Sequence, residues 1–176
     1  MADVSVRPAR AEDAERVARV QLSTWKTAYG ALLPAEAIDV PEVQAAAVWL
    51  GAVERPPTDR HRLLLAMERE ELVGFAASGP AEDEGLRASS VELLTLLVEP
   101  RWGRRGHGSR LLAASVEHWR ATGGTHAVCW AFERDPATRG FLTGAGWEPD
   151  GAERGLDVGA AEPVRQLRLH TDLRTD

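Results

Sequence analysis

The chain has one cysteine, Cys129, and no long apolar run, and each shortage excludes a class of protein. A single thiol cannot form a disulfide within the chain or supply a cysteine-rich metal site. The five histidines show no spacing typical of metal ligands, so we expect no bound metal. No uninterrupted apolar run approaches the ~20 residues that span a bilayer, and the amino terminus lacks the basic and apolar regions of a signal peptide. We therefore expect a cytoplasmic protein that does not act at a membrane.

The chain also has fewer basic than acidic residues. The chain has 21 Lys and Arg residues against 27 Asp and Glu residues, which gives a net charge of −6. Such a surface does not suit non-specific binding of nucleic acid, and we expect no nucleic-acid partner. The length of 176 residues, with 44% hydrophobic and 27% charged residues, is ordinary for a globular protein. It predicts a single domain over residues 1–176, long enough to bury a core.

A basic, glycine-rich segment stands out from this acidic background. The apolar run from Leu93 to Val98 stops at Pro100, and residues 101–110 then include four arginines and three glycines before an amphipathic helix. Glycines let the backbone approach an anion, while the free amides and the dipole at a helix start attract it. A solvated charged face is the plainer interpretation of a charge cluster, but the interleaved glycines favour an anion site.

Two common phosphate-binding loops do not fit this segment. A Walker A loop needs Gly-Lys-Ser/Thr after its glycines, and none follows here. The spacing of Gly103, Gly106 and Gly108 differs from Gly-x-Gly-x-x-Gly, and the strands before them have the pattern of an antiparallel hairpin. The remaining interpretation is a turn whose amides, from Arg104 to Ser109, hold a pyrophosphate.

Hydrophobic periodicity along the chain predicts the element order β, α, α, β, β, β, α, β, α, β, β. This order is typical of a mixed α/β fold of the α+β type, with helices packed on a mainly antiparallel sheet. The main predicted elements are a strand over 4–8, a helix over 11–25, a hairpin of strands over 63–67 and 72–77, a strand over 92–98, a helix over 106–122, a strand over 127–132, and last strands at 147 and 164–169. Asp135 before Pro136 is a candidate N-cap of a short helix.

Segment 98–112 resembles the acyl-CoA-binding segment of the GNAT N-acetyltransferase superfamily. The resemblance covers nearly the whole chain. Its other matching stretches, in order, are the first strand and helix over 4–25, a subgroup signature made of Trp25 and residues 29–34, and a strand-helix-strand unit over 128–147. It implies a sheet of about six to seven strands, flanked by helices and splayed where the strand of Val98 separates from the strand of Val128.

The resemblance also implies acetyl-CoA as the co-substrate and a set of residues that bind it. The backbone of Leu96, Leu97 and Val98 would pair with the pantetheine arm as though it were an added strand. The side chains of Arg104 and Arg105 would reach further phosphates. The amides that would hold the pyrophosphate belong to Arg104, Arg105, Gly106, His107, Gly108 and Ser109.

Three positions depart from the family pattern. The family loop usually begins with Gln or Arg where this chain has Gly103, so one side-chain contact to the cofactor is missing. Asp135 stands where the family often has an asparagine that contacts the pantetheine region, and it serves either that contact or as a helix cap. The tyrosine that often protonates the leaving thiolate falls at Leu142, which cannot be the acid.

Glu92 is the candidate general base. It lies six residues before Val98 on the central predicted strand, where several branches of the superfamily place a catalytic glutamate. Period-two alternation puts Glu92 on one face with Leu94, Leu96 and Val98, and such apolar neighbours would raise its pKa. A solubilising charge or an ion-pair partner at the strand edge is the alternative interpretation.

The general acid is left open. Tyr29, the only tyrosine in the chain, is a candidate for this role. Trp25 and Tyr29 are also candidates for the wall of the acceptor cleft. Packing at a helix end is the favoured alternative for Tyr29. Release of the thiolate to solvent, without a dedicated acid, is a further option.

These observations predict an acetyl-CoA-dependent N-acetyltransferase that moves an acetyl group to a primary amine by direct attack. An acetyltransferase of protein or peptide amines is the nearest alternative, and a non-catalytic acyl-CoA-binding module is the alternative from another class. The absence of a Walker lysine and of an acidic Mg²⁺ pair disfavours a nucleotide-dependent transferase. Homodimers are common among look-alikes, and the sequence leaves that assembly open.

Overall fold

The computed structural model describes residues 3–160 and 162–174, which form one sheet with helices on both faces. The strands are β1 (Val4–Pro8), β2 (Arg62–Glu68), β3 (Glu71–Pro80), β4 (Ser90–Val98), β5 (His126–Phe132), β6 (Glu148–Leu156) and β7 (Val164–Asp172). The helices are α1 (Ala14–Tyr29), α2 (Ala35–Ile38), α3 (Glu42–Glu54), α4 (His107–Ala121) and α5 (Pro136–Gly144). No helix in the described ranges is both long and apolar enough to cross a membrane.

The seven strands lie in the order β1-β2-β3-β4-β5-β7-β6. Every neighbouring pair is antiparallel except β4 and β5, which run parallel. That parallel pair is short, since only Ser90, Val91 and Glu92 of β4 have partners on β5. Beyond Glu92 the two strands separate. The prediction of a mainly antiparallel sheet that splays at its central strands is therefore confirmed.

Two apolar clusters cover the two faces of the sheet. Helix α4 packs on one face, where Leu111 and Trp119 are fully buried. Helices α1 and α3 lie on the other face, where Val17 packs with Phe75. Each fully buried large side chain contributes ~1.5–3 kcal/mol relative to its exposed state. The rigid sheet that results holds the edges of β4 and β5 in place.

Helix α1 is longer than its pattern predicts and ends at Tyr29 rather than at Trp25. A 3₁₀ turn precedes it, in which the buried Asp13 carboxylate accepts hydrogen bonds from Arg7 at 2.7 and 2.8 Å and from the Arg10 amide at 2.8 Å. The final turn of α1 places Tyr29 next to Phe132 of β5, with their ring centroids 5.1 Å apart.

A β-bulge in β4 makes one sequence prediction wrong. Ser78 pairs with Leu93 and Ala77 pairs with Thr95, so Leu94 has no partner on β3. The extra residue exchanges the two faces of the strand. Leu93 and Leu96, three residues apart, consequently pack against the same cluster. The predicted common face of Glu92, Leu94, Leu96 and Val98 does not exist, because strict alternation holds only in a strand without a bulge.

Candidate active site

The basic segment forms a turn with free amides at the start of α4. The first bond of the helix runs from the Arg110 amide to the Gly106 carbonyl at 3.0 Å. Among the described residues, the amides of residues 104–109 donate to no backbone acceptor. These N–H groups and the positive end of the helix dipole suit a phosphate. The predicted anion turn has the geometry that a pyrophosphate needs.

Two residues of this turn adopt positive φ angles. Gly106, the N-cap of α4, has φ +81°, a conformation that costs glycine little because it has no Cβ. Arg104 has φ +60°, which is uncommon for a residue with a side chain. Backbone strain of this kind is concentrated at ligand-binding turns.

A buried pair anchors the turn to the sheet. The His107 ring is buried, and its Nε2 lies 2.8 Å from a carboxylate oxygen of Glu68 at the end of β2. Arg105 donates to the other carboxylate oxygen at 3.3 Å, and its guanidinium lies 4.8 Å from the centre of the Trp102 ring. The His107 side chain therefore has a structural role, which leaves only its amide to face a ligand.

A cavity of about 940 Å³ runs from this turn into the gap between β4 and β5. Its volume lies in the range that suits a large ligand. Among the residues predicted to bind acetyl-CoA or the acceptor, its walls include Trp25, Tyr29, Leu96, Leu97, Val98, Arg104, Gly106, His107, Gly108, Ser109 and Asp135. Arg105 and Glu92 do not form part of its walls. The fold thus brings together nearly all of the predicted cofactor residues.

The free edge of β4 forms one wall of this cavity. On its other side, the strand is bonded to β3, with Leu96 opposite Ala76 and Val98 opposite Gly74. No partner strand follows Glu92 on the side of β5. Alternate residues of a paired strand direct their backbone groups to opposite sides, and the Glu99 amide donates to the Val73 carbonyl of β3 at 2.9 Å. The N–H and C=O groups of Leu96 and Val98 therefore face the gap, where an extended amide-bearing chain can pair with them, whereas those of Leu97 face Phe75 of β3.

Trp25 separates the main cavity from a smaller one of about 300 Å³. The two cavities share Trp25, Leu94 and Thr95, which are contributed by α1 and the bulge of β4. Trp25 thus forms part of the wall of both cavities, and its role in an acceptor cleft stays a prediction.

Asp135 caps helix α5. Its carboxylate accepts from the Thr138 amide at 3.0 Å and from the Thr138 hydroxyl at 2.6 Å. The Tyr29 hydroxyl donates to the same carboxylate at 3.3 Å. The cap interpretation is therefore observed directly, and Asp135 also lines the cavity.

Tyr29 is fixed at the inner end of the cavity. Its ring contacts Phe132 edge to face, with centroids 5.1 Å apart. Burial, followed by the nearby Asp135 charge, raises the pKa of Tyr29 to about 12. Since its proton is held by Asp135, and a phenolate beside a carboxylate is unfavourable, the hydroxyl is poorly placed to give up a proton. Leu142, the position of the family acid, is buried in the apolar cluster of α4.

Glu92 is the last residue of β4 that pairs with β5, and it lies opposite Val128. The side chain is half-buried, and burial raises its pKa above the ordinary value. Arg154 is the strongest charge that opposes this rise, while Asp83 adds to it. A carboxylate with a raised pKa is a better proton acceptor for an ammonium than an exposed one.

A charged cluster beside Glu92 was missed by the sequence analysis. The guanidinium carbons of Arg154 and Arg168 lie 4.4 and 5.4 Å from the centre of the Trp130 ring, and the Trp130 indole N–H donates to Asp83 at 2.9 Å. The three charged residues come from β6, β7 and the acidic loop before β4. Nothing in their sequence spacing indicates that they meet, because the sheet order β5-β7-β6 alone brings them to one place.

Comparisons with known proteins agree with this geometry. The profile of the acetyltransferase (GNAT) family matches residues 25–147. The uncharacterized N-acetyltransferase YuaI of Bacillus subtilis (strain 168) is 27% identical over 141 residues, which is 76% of this chain and 75% of that protein.

Solved structures share the fold. The PaiA N-acetyltransferase of Thermoplasma acidophilum, solved in complex with coenzyme A, has a TM-score of 0.76 at 17% identity, over 97% of this chain and 99% of that one. The acetyltransferase YncA of Salmonella typhimurium, solved with acetyl-CoA, has a TM-score of 0.74 at 15% identity, over 99% and 96% of the two chains. The chain belongs to the GNAT acetyltransferase family, and it is an acyltransferase that uses acetyl-CoA as its co-substrate.

Proposed function

We propose that this protein transfers the acetyl group of acetyl-CoA to a primary amine by direct attack, with Glu92 as the general base. One observation carries the proposal: a single cavity connects the free amides of residues 104–109 with the open edge of β4. That path provides a place for the diphosphate, then for the pantetheine arm, and then for the thioester at the part of the wall formed by Leu93, the residue that follows Glu92.

The amine must lose a proton before it attacks, because an ammonium has no lone pair. Glu92 takes this proton, directly or through a water molecule, and its raised pKa favours the transfer. The amine nitrogen then bonds to the thioester carbonyl carbon. A backbone N–H group on the open edge of β4, that of Leu96 or Val98, stabilises the negative oxygen that develops there.

Collapse of that intermediate breaks the carbon–sulfur bond, and the thiolate leaves. Tyr29 donates its hydroxyl proton to Asp135, and Leu142 has no proton to give. We therefore infer that the thiolate takes its proton from solvent or from the attacking nitrogen. Tyr29 and Asp135 instead position the pantetheine end of the donor and the wall of the acceptor site.

The acceptor end of the cavity favours a small amine over a protein. Two aromatic side chains, Trp25 and Tyr29, form walls there, together with Leu33 and Ala37 of the α1–α2 region. Apolar walls with few polar groups are typical of small-molecule sites. A peptide would have to displace or extend beyond this wall.

The test measures thiol release from acetyl-CoA with a panel of primary amines. We expect turnover with at least one small amine and a loss of at least about a hundredfold in kcat for Glu92→Gln, which corresponds to the effect of general acid–base catalysis. Glu117→Gln, an exposed substitution on α4, is the matched control and should behave like the wild type. If no amine supports turnover while CoA binds and Glu92→Gln changes nothing, the protein is a binding module and the proposal is wrong.

A further inference from the structure

The two arginines that contact Trp130 differ in what neutralises them. Arg168 is largely enclosed, and its guanidinium bonds to Asp83 at 3.1 Å and to Asp150 at 2.7 Å. Its charge is therefore matched twice by carboxylates within the protein. Arg168 therefore links Asp83, which accepts from the Trp130 indole, to Asp150 of β6.

Arg154 has no such partner. Its Nε donates to the Gln166 side-chain oxygen at 2.7 Å, and its Cζ lies 4.4 Å from the centre of the Trp130 ring. No carboxylate among residues 3–160 and 162–174 lies within 4.0 Å of its nitrogen atoms. The Nε bond and the stacking fix the guanidinium, while its two terminal NH₂ groups stay available. A guanidinium fixed in this way presents its two terminal NH₂ groups in a geometry that suits an anion.

The Arg154 guanidinium lies close to the main cavity and to the candidate base. Trp130 and Gln166, the two residues that hold Arg154, both line the main cavity. Arg154 also lies near enough to Glu92 to influence its ionisation more than any other charge. Arg154 does not itself line the cavity, but it is held by two residues that do, and both lie on strands β5 and β7 rather than in the phosphate turn.

The charges around Arg154 do not explain its orientation. Asp83 and Asp150 are occupied by Arg168, and the Asp157 carboxylate at the cavity edge accepts from the Gly159 amide at 3.0 Å. An exposed arginine without a partner normally extends into solvent, since ordering its long side chain costs entropy. Here the side chain is instead held over an aromatic ring by two contacts.

Resting on the proposed function, we propose that the acceptor is an amine that also carries a carboxylate, as in an amino acid. The carboxylate binds the free NH₂ groups of Arg154, and the amine faces Glu92. The same arrangement disfavours the amino terminus of a peptide, in which the neighbouring carboxylate has become an amide.

A plainer role for Arg154 is to cover Trp130 and keep Glu92 ionised. The two roles differ in one measurable respect. If Arg154 acts only through Glu92, its loss affects amines with and without a carboxylate equally. If it binds the acceptor, its loss affects only the carboxylated amines.

The experiment uses the full chain saturated with CoA and measures binding by calorimetry. Alanine, leucine and phenylalanine are each titrated beside their carboxamides, which keep the amine and side chain but lack the charge. We expect at least one acid to bind about tenfold to a hundredfold more tightly than its amide, the range of a charge-assisted bidentate contact. Arg154→Gln should abolish that ratio, and Arg154→Lys should restore part of it.

Arg165→Gln removes the same charge from an exposed arginine that pairs with Glu133 and Glu153, and it should keep the wild-type ratio. Equal binding of acids and amides by the wild type, or a ratio of their affinities that survives in Arg154→Gln, overturns the inference.

Acetylation of the same acids and amides is measured in parallel. Turnover of amides as good as that of acids refutes the inference but leaves the proposed function standing. Arg154-dependent binding of acids without turnover refutes the proposed function alone.

Discussion

Substituting Gly106 by alanine is the most informative perturbation of the phosphate turn. Gly106 has φ +81°, and a Cβ there would lie 3.1 Å from the end of the Arg110 side chain, which can move aside. The main cost is therefore the left-handed conformation, ~1–2 kcal/mol for a residue with a Cβ, reduced by the ~0.4–1 kcal/mol that alanine gains by restricting the unfolded chain. A net loss of about 1 kcal/mol corresponds to a fall of roughly 2–4 °C in Tm.

Gly85 provides a matched control because it has nearly the same positive φ as Gly106 but lies outside the phosphate turn. Its φ is +83° in the exposed loop before β4, and nothing lies within 4 Å of a Cβ placed there. Gly85→Ala should therefore cost about the same stability as Gly106→Ala. Any difference between the two variants in CoA binding then reports on the turn itself.

The decisive assay is calorimetric titration of CoA into both variants. We expect Gly106→Ala to weaken binding by about tenfold to a hundredfold, because alanine disfavours the positive φ that directs the amides of the turn, and misdirecting one amide costs one hydrogen bond to a charged phosphate. Gly85→Ala should bind like the wild type. Equal affinity of Gly106→Ala and the wild type, at a temperature where both are folded, would refute the assignment of the diphosphate to residues 104–109.

Three further predictions test other parts of the site. Because a base must be unprotonated and burial raises the pKa of Glu92, kcat/KM should fall as pH drops through a value above the ordinary 4.5, and Glu92→Gln should lack this limb. Tyr29→Phe should cost about 1 kcal/mol of stability in a denaturant titration yet leave kcat within roughly threefold, since the hydroxyl proton is held by Asp135. Glu68→Ala should weaken CoA binding in calorimetry and lower the free energy of unfolding by ~1–3 kcal/mol, because it leaves the buried His107 nitrogen without a partner.

The sequence predicts the cofactor side of this molecule better than the acceptor side. The phosphate turn is continuous in sequence, so its glycines, its arginines and the following helix can be recognised together. The N-cap of α5 is equally local, since Asp135 bonds to a residue three positions later. Features that depend on few neighbouring residues are within reach of pattern analysis.

Features that depend on strand pairing cannot be predicted from the sequence pattern in this way. The bulge at Leu94 inserts one residue into an otherwise regular apolar strand, and no residue type there signals it. Alternation therefore assigned Leu96 to the wrong face. The meeting of Arg154 with Trp130 depends on β7 lying between β5 and β6, an order that the linear pattern leaves undetermined.

One topological feature accounts for both the cleft and the phosphate turn. The β4–β5 pair is the parallel pair of this sheet, and parallel neighbours need a crossover connection, which α4 provides. The crossover begins at the carboxyl end of β4, so the amino terminus of α4 and its free amides must lie where β4 has left β5. Ligands of open α/β sheets bind at the carboxyl ends of strands for the same reason. The gap that admits the pantetheine arm and the turn that holds its diphosphate are therefore two consequences of one connection.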